Sequence, residues 1–249
     1  MEKVFAIGDI HGNFELLEKL LLKWNPCEEQ LVFVGDYIDR GPQSLDVLRK
    51  VKELTETHAA VALLGNHEQM FLQWLKHPEL EANSFFNVGG AATIQSFSIV
   101  DLPKHSTDTV IAQMMKERHT DLLSFIENCP FYYSWEGFVF VHAGIDPYVE
   151  DFSLSSEEDF LWIRDEFTKF PHMAKETIVF GHTPTIYLNE EASSQIWISP
   201  CSKKIGIDGG SLYENGRLNG VVFEKGSNEM IVHGVTAQGI STTVLKIAT

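Results

Sequence analysis

Short apolar runs that stop at a glycine or a histidine and open onto polar side chains recur along this sequence. Val4 to Ile7 leads into Gly8-Asp9-Ile10-His11-Gly12, and Leu31 to Val34 leads into Gly35-Asp36-Tyr37-Ile38-Asp39-Arg40-Gly41. Val61 to Leu64 leads into Gly65-Asn66-His67-Glu68, Phe138 to Val141 into His142-Ala143-Gly144, and Thr177 to Phe180 into Gly181-His182-Thr183-Pro184. Runs this short and unbroken read as strands buried on both faces, as in a parallel sheet covered by helices. Between the first three the period lengthens. Asn13 is placed to cap a helix carrying Phe14, Leu17, Leu20, Leu21 and Trp24, closed by Asn25-Pro26. Ser44 is placed to cap a second, with Leu45, Leu48, Val51 and Leu54 on one side. The β-α-β-α-β order predicts parallel strands with right-handed crossovers. In such sheets ligands gather outside the carboxyl ends of the strands, where all five polar clusters fall.

The same pattern predicts a third helix from Glu68 to Leu75, with Met70, Phe71, Trp74 and Leu75 on its buried side. Residues 77–130 are less regular, with a helical pattern from about Thr107 to Ile126, and read as a helical insertion beside the polar clusters. Towards the C-terminus the period drops to two at Ile205 to Asp208, Gly220 to Phe223, Met230 to His233 and Thr243 to Lys246. These four are expected to form a second sheet packed on the first. The fold class is therefore α/β: a central β-sandwich of mixed sheets flanked by helices. With no linker, repeat or low-complexity stretch, residues 1–249 are expected to make one domain carrying the 77–130 insertion.

Composition narrows the partners. Over 249 residues the net charge is −16, so a general grip on nucleic-acid backbones is disfavoured and anionic membranes are repelled. A phosphorylated substrate would need locally placed arginines or bound metals. Cys27, Cys129 and Cys201 are few and widely separated, which suits free thiols in a reducing compartment. No signal-peptide pattern is present, and no apolar run approaches the roughly 20 residues of a membrane helix. The expectation is a cytoplasmic protein without a nucleic-acid or membrane partner.

The five clusters present Asp9, His11, Asp36, Asn66, His142 and His182. Taken singly, Asp9, Asp36 and Asn66 read as helix N-caps, and the histidines as core residues at strand ends. As a recurring set they read as ligands, because carboxylate, imidazole and amide oxygen suit divalent Mn, Fe or Zn. Six donors exceed the three of a typical single catalytic zinc, and two ions sharing one carboxylate would use them all. Such a pair clamps the attacking and leaving oxygens of an in-line displacement.

Together the five blocks resemble the signature of the metallophosphoesterases, in particular the phosphoprotein phosphatase branch with its bacterial Ser/Thr phosphatase-like members. The likeness runs from residue 4 to about 223. It implies two divalent ions, manganese first, with iron(II) and zinc as alternatives. Asp9, His11 and Asp36 would hold the first ion, and Asp36 would bridge to a second held by Asn66, His142 and His182. A metal-bridging hydroxide would attack phosphorus directly. His67 would be the acid that protonates the leaving alcohol, oriented by Asp39, and such an acid contributes typically ~10²–10⁴-fold. Arg40 and Arg164 would bind phosphate oxygens through their bidentate forks. The implied substrate is phosphoserine or phosphothreonine in a phosphoprotein, or a small phosphate ester. A rival is a symmetrical dinucleoside tetraphosphate hydrolase, which resembles this chain at Arg40-Gly41-Pro42 and Ser44-Leu45-Asp46-Val47-Leu48-Arg49. Those enzymes typically lack an acid at the position of Asp39 and have Asp where Glu68 stands. Asn87-Val88-Gly89-Gly90 departs from the Asn-Gly-Gly stretch of bacterial relatives.

Overall fold

Each of the five apolar runs forms a strand, with no more than two residues between the strand's end and its polar cluster. The computed structural model describes residues 1–97 and 106–247, so 98–105 of the 77–130 segment lie outside the described residues. The chain begins β1 (Lys3–Ile7), α1 (Phe14–Leu21), β2 (Glu29–Phe33), α2 (Ser44–His58), β3 (Val61–Ala62) and α3 (Asn66–Lys76). Four helices follow: α4 (Pro78–Asn87), α5 (Gly90–Ser96), α6 (Asp108–Arg118) and α7 (Thr120–Glu127). Then come β4 (Tyr132–Trp135), β5 (Phe138–Val141), α8 (Glu157–Trp162), α9 (Asp165–Lys169) and β6 (Thr177–Phe180). The chain closes with β7 (Trp197–Ile198), β8 (Lys204–Gly206), β9 (Leu218–Glu224), β10 (Glu229–Thr236) and β11 (Gly239–Lys246).

Two mixed sheets pack face to face. One has the order β11-β10-β9-β1-β2-β3, the other β4-β5-β6-β8-β7. Strands β1, β2 and β3 are parallel, as the β-α-β-α-β pattern requires, and β5, β6 and β8 are parallel in the second sheet. Alternation along β1 shows why its run is apolar throughout. Val4 and Ala6 enter the layer between the sheets with Val32, Phe140, Val179 and Phe223. Phe5 and Ile7 face outward against Leu17 and Leu20 of α1 and Leu48 and Val51 of α2. On the far side, Val139, Val141 and Ile178 pack against Phe160 and Phe167 from α8 and α9. Each of these Val, Leu, Ile and Phe side chains contributes about 1.5–3 kcal/mol when fully buried, which holds the two sheets to each other and to their helices.

The sandwich matches the expected class, but its strands are shared out differently. The C-terminal strands β9, β10 and β11 extend the first sheet, because β9 pairs antiparallel with the free edge of β1. The second sheet is built instead around the His142 and His182 strands. Tight connections decide this: β9, β10 and β11 are hairpin neighbours that propagate outward from whichever edge β9 takes. Asn13 does cap α1, accepting from the Leu16 amide at 3.4 Å, but that helix stops at Leu21, short of Trp24. Ser44 is not a cap. It is the first residue of α2, after Gln43, and its hydroxyl turns back to the loop after β2, where it accepts from the Asp39 amide at 3.2 Å. The expected helix at 107–126 is two, α6 and α7, parted at His119. No helix among the described residues is long and apolar enough to cross a membrane, and all three cysteines are free.

Candidate metal centre

The loops leaving β1, β2, β3, β5 and β6 meet at one end of the sandwich, and their backbone is unusual there. His11, Asp36, Asp39, Arg40 and His182 have φ of 50°, 53°, 71°, 65° and 60°. Left-handed backbone costs an L-residue roughly 1–2 kcal/mol and is uncommon outside glycine. Five cases among the expected site residues mark a surface built for placement of side chains. The bends are held by a hydrogen-bond lattice. The Ile10 and His11 amides donate to Asp36 O at 3.0 and 2.9 Å, and the Gly41 amide donates to His11 O at 3.0 Å. Glu68, fully buried, accepts from the Asp36, Tyr37, Ile38 and Gly65 amides at 2.9, 2.8, 3.2 and 3.1 Å. A Cβ at Gly65 would collide with Asp36, and one at Gly181 with the Asp9 carboxylate, so both positions need a bare backbone.

Asp36 is the hub of the side chains. His11 Nε2 lies 3.5 Å from its Oδ2 and His142 Nε2 lies 3.3 Å from its Oδ1. Asn66 Oδ1 lies 2.8 Å from His142 Nε2 and 3.0 Å from His182 Nδ1. Two groups, His11/Asp36/His67 and Asp36/His142/His182, each bring candidate ligand atoms within 4.8 Å of one another. All six expected ligands are buried. Asp9 is brought in by the His182 amide, which donates to its Oδ2 at 2.9 Å, whereas His67 rather than Asp9 stands in the first cluster.

Tautomers and charges show what the centre fits. His11 Nδ1 and His142 Nδ1 lie 2.9 Å from the Ile38 and Val34 carbonyls, which can only accept. Each must therefore carry its proton on Nδ1 and turn the Nε2 lone pair towards Asp36, as a metal-ligating histidine does. Burial, with His67 next, lowers His11 well below the usual range, and burial also lowers His142. Burial, then His142 and Arg164, brings His182 down to about 2. Burial opposes the charge on Asp36, but His142, His67, His11 and His182 outweigh it and hold that carboxyl far below its ordinary value. Asp9 is driven well up by burial and by the charges of Asp208 and Asp36. Asp9 Oδ1 and His182 Nε2 are buried without a hydrogen-bond partner. Neutral imidazoles with inward lone pairs, carboxylates that repel one another and an orphaned carboxylate oxygen together fit divalent cations.

Beside this centre, His67 Nδ1 meets Asp39 Oδ2 at 2.6 Å. Burial works against the His67 charge, but Asp36 and the bond to Asp39 outweigh it and raise its pKa. Arg40 donates from Nη2 to His67 Nε2 at 3.0 Å and from Nη1 to His11 Nε2 at 2.9 Å, laying a guanidinium across both rings. Arg164, between α8 and α9, donates to His182 O at 2.9 Å and to Thr183 Oγ1 at 3.4 Å. All ten expected residues thus converge.

Three buried residues that the sequence reading left without a role share the site. Glu68 is the loop clamp; its place in the Gly-Asn-His-Glu block was a usable signal. Asp208 follows the β8 run just as Asp9 follows β1, and burial, reinforced by Asp36, pushes it up to about 6 against the Gly210 amide. Thr93 comes from α5 and had no signal in the pattern.

A family model described as calcineurin-like phosphoesterase matches residues 2–223. The symmetrical bis(5'-nucleosyl)-tetraphosphatase of Nitrosococcus oceani is 30% identical over 148 residues, 58% of this chain and 44% of that protein. Serine/threonine-protein phosphatase 1 of Salmonella typhimurium is 48% identical over 71 residues, 28% of this chain and 31% of that protein. The match spans less than half the length of either relative. In structure, a cold-active protein tyrosine phosphatase aligns with a TM-score of 0.66 at 18% identity, over 97% of this chain and 78% of that one, a likeness of fold.

Proposed function

Because the chain belongs to the calcineurin-like phosphoesterase family, we propose that it is a phosphomonoesterase of the serine/threonine protein phosphatase type, with residues 1–249 acting as one unit. The observation that carries this reading is the buried His67–Asp39 pair at 2.6 Å. A serine or threonine alkoxide leaves phosphorus poorly unless it is protonated. A nucleoside diphosphate leaves as a stable anion and needs no acid. A histidine with a buried carboxylate behind it is machinery for the first kind of ester, where a placed acid gives typically ~10²–10⁴-fold.

Asp9, His11 and Asp36, with Asp36, Asn66, His142 and His182, would hold two divalent ions, manganese being well matched to this oxygen and imidazole set. Bound there, such ions supply Lewis acidity and water of lowered pKa. The chain's own groups do the rest. Arg40 and Arg164 take the phosphoryl oxygens, and turning the Arg40 fork to phosphate frees the ring nitrogens it now covers. His67 delivers a proton from Nε2 to the departing oxygen, while Asp39 keeps the Nδ1 proton and the ring in place. Three free cysteines fit a reducing, cytoplasmic setting.

Hydrolysis of dinucleoside tetraphosphates is the second reading, favoured by relatives such as the Nitrosococcus oceani protein. Supplying a phosphoserine peptide and diadenosine tetraphosphate with Mn²⁺ separates the two. Higher kcat/KM on the peptide supports the monoesterase; a strong preference for the nucleotide overturns it.

A further inference from the structure

The helical segment after α3 reaches back into the catalytic loop at two points. Thr93 on α5 is fully buried, and its hydroxyl donates to Asp39 Oδ1 at 2.5 Å while accepting from the Asp39 amide at 2.9 Å. Ser44 Oγ supports the same cluster, 3.2 Å from the Asp39 amide and 3.2 Å from Thr93 Oγ1. At the start of α5, Gly89 O accepts from the Arg40 amide at 3.3 Å. A Cβ on Gly89 would collide with the Arg40 backbone and Cγ, so the two segments touch.

These contacts fall on the two most demanding residues of the loop. Asp39 and Arg40 are consecutive left-handed residues, φ 71° and 65°, a conformation that persists only where surroundings over-determine it. The carboxylate of Asp39 is divided between two partners. Oδ2 takes His67 Nδ1 and Oδ1 takes the Thr93 hydroxyl. Fixing Oδ1 blocks rotation of the carboxylate and leaves Oδ2 aimed at the imidazole. Without the hydroxyl, a buried carboxylate oxygen loses its donor and the group turns to find another.

We infer that Thr93 is a positioning residue for the His67–Asp39 pair, and that through it α5 makes proton delivery depend on the helical segment. The inference rests on the reading of His67 as the acid. Its consequence concerns leaving groups: an alkyl ester needs the proton, whereas a nitrophenyl ester, with a far better leaving group, hardly does.

The test compares Thr93→Val, nearly isosteric but without the hydroxyl, with Thr93→Ser, which keeps it. The Mn²⁺-loaded enzyme is assayed on a phosphoserine peptide and on p-nitrophenyl phosphate. Thr93→Val is expected to lower kcat on the peptide about 10- to 100-fold, the scale of a misplaced catalytic group, and to lower the aryl ester far less. Thr93→Ser is expected to restore most of the peptide rate. Asp39→Asn serves as the control on the underlying reading. If Asp39→Asn is selective for the peptide but Thr93→Val lowers both substrates alike, or neither, the positioning role is overturned alone. If Asp39→Asn is itself unselective, the acid reading falls and takes the inference with it.

Discussion

At the residue scale, the site is a set of side chains whose charges conflict unless cations join them. His11 and His142 turn neutral lone pairs towards Asp36, while Asp9 and Asp208 are pushed towards protonation by burial and by their acidic neighbours. Replacing Asp36 with Asn should therefore remove tight Mn²⁺ binding in calorimetry; undiminished binding would place the ions elsewhere. Glu68 is a second point of sensitivity. Glu68→Gln turns an amide NH₂ towards backbone donors that now meet a carboxylate, and should cost about 1–3 kcal/mol in urea unfolding. His67 gives a pH signature. Its pKa is raised, so in the proposed role of acid it keeps its proton below that value and loses it as pH rises through it. Asp39→Asn removes one cause of the rise. The basic limb of the rate profile on a phosphoserine peptide should then move to lower pH; a limb that does not move contradicts the pair.

At the scale of elements, what decides the site is which strand end each loop leaves. This much was legible, because an apolar run closed by Gly-Asp or Gly-His declares both the strand and its functional tip. The Ile205 run ends in Ile207-Asp208, without a Gly-Asp or Gly-His closure, and so declares a strand but not the buried carboxylate at its tip. The allocation of β9 to β11 was not legible, since alternation marks a strand without saying which edge it joins. Nor was Thr93, which reaches Asp39 across 54 positions of chain from a segment whose helical pattern names only its apolar face. Lys204 on β8 shows a similar long-range tie. Its buried ammonium donates to Phe167 O and Phe170 O at 2.6 Å each, closing the end of α9 behind Arg164. Lys204→Met should loosen α9, raising KM for a phosphopeptide more than it lowers kcat. An unchanged KM would separate α9 from phosphate binding.

At the scale of the molecule, a chain of net charge −16 must attract an anionic substrate to a centre buried among carboxylates. Near the centre, Arg40 and Arg164, with the ions the site would hold, oppose that field. Salt shortens the reach of the repulsion, from about 30 Å at 0.01 M to about 8 Å at 0.15 M. KM for a phosphopeptide should fall over that range, and a rise would point to long-range attraction instead. The sandwich itself serves one end: five strands from two sheets deliver their tips to a single volume. The most direct test is anomalous diffraction from crystals grown with Mn²⁺. Two peaks roughly 3.5–4 Å apart, one on each side of Asp36 and within reach of His11 and of His142 with His182, are predicted. No peak among these loops, or ions bound only elsewhere, would contradict the account.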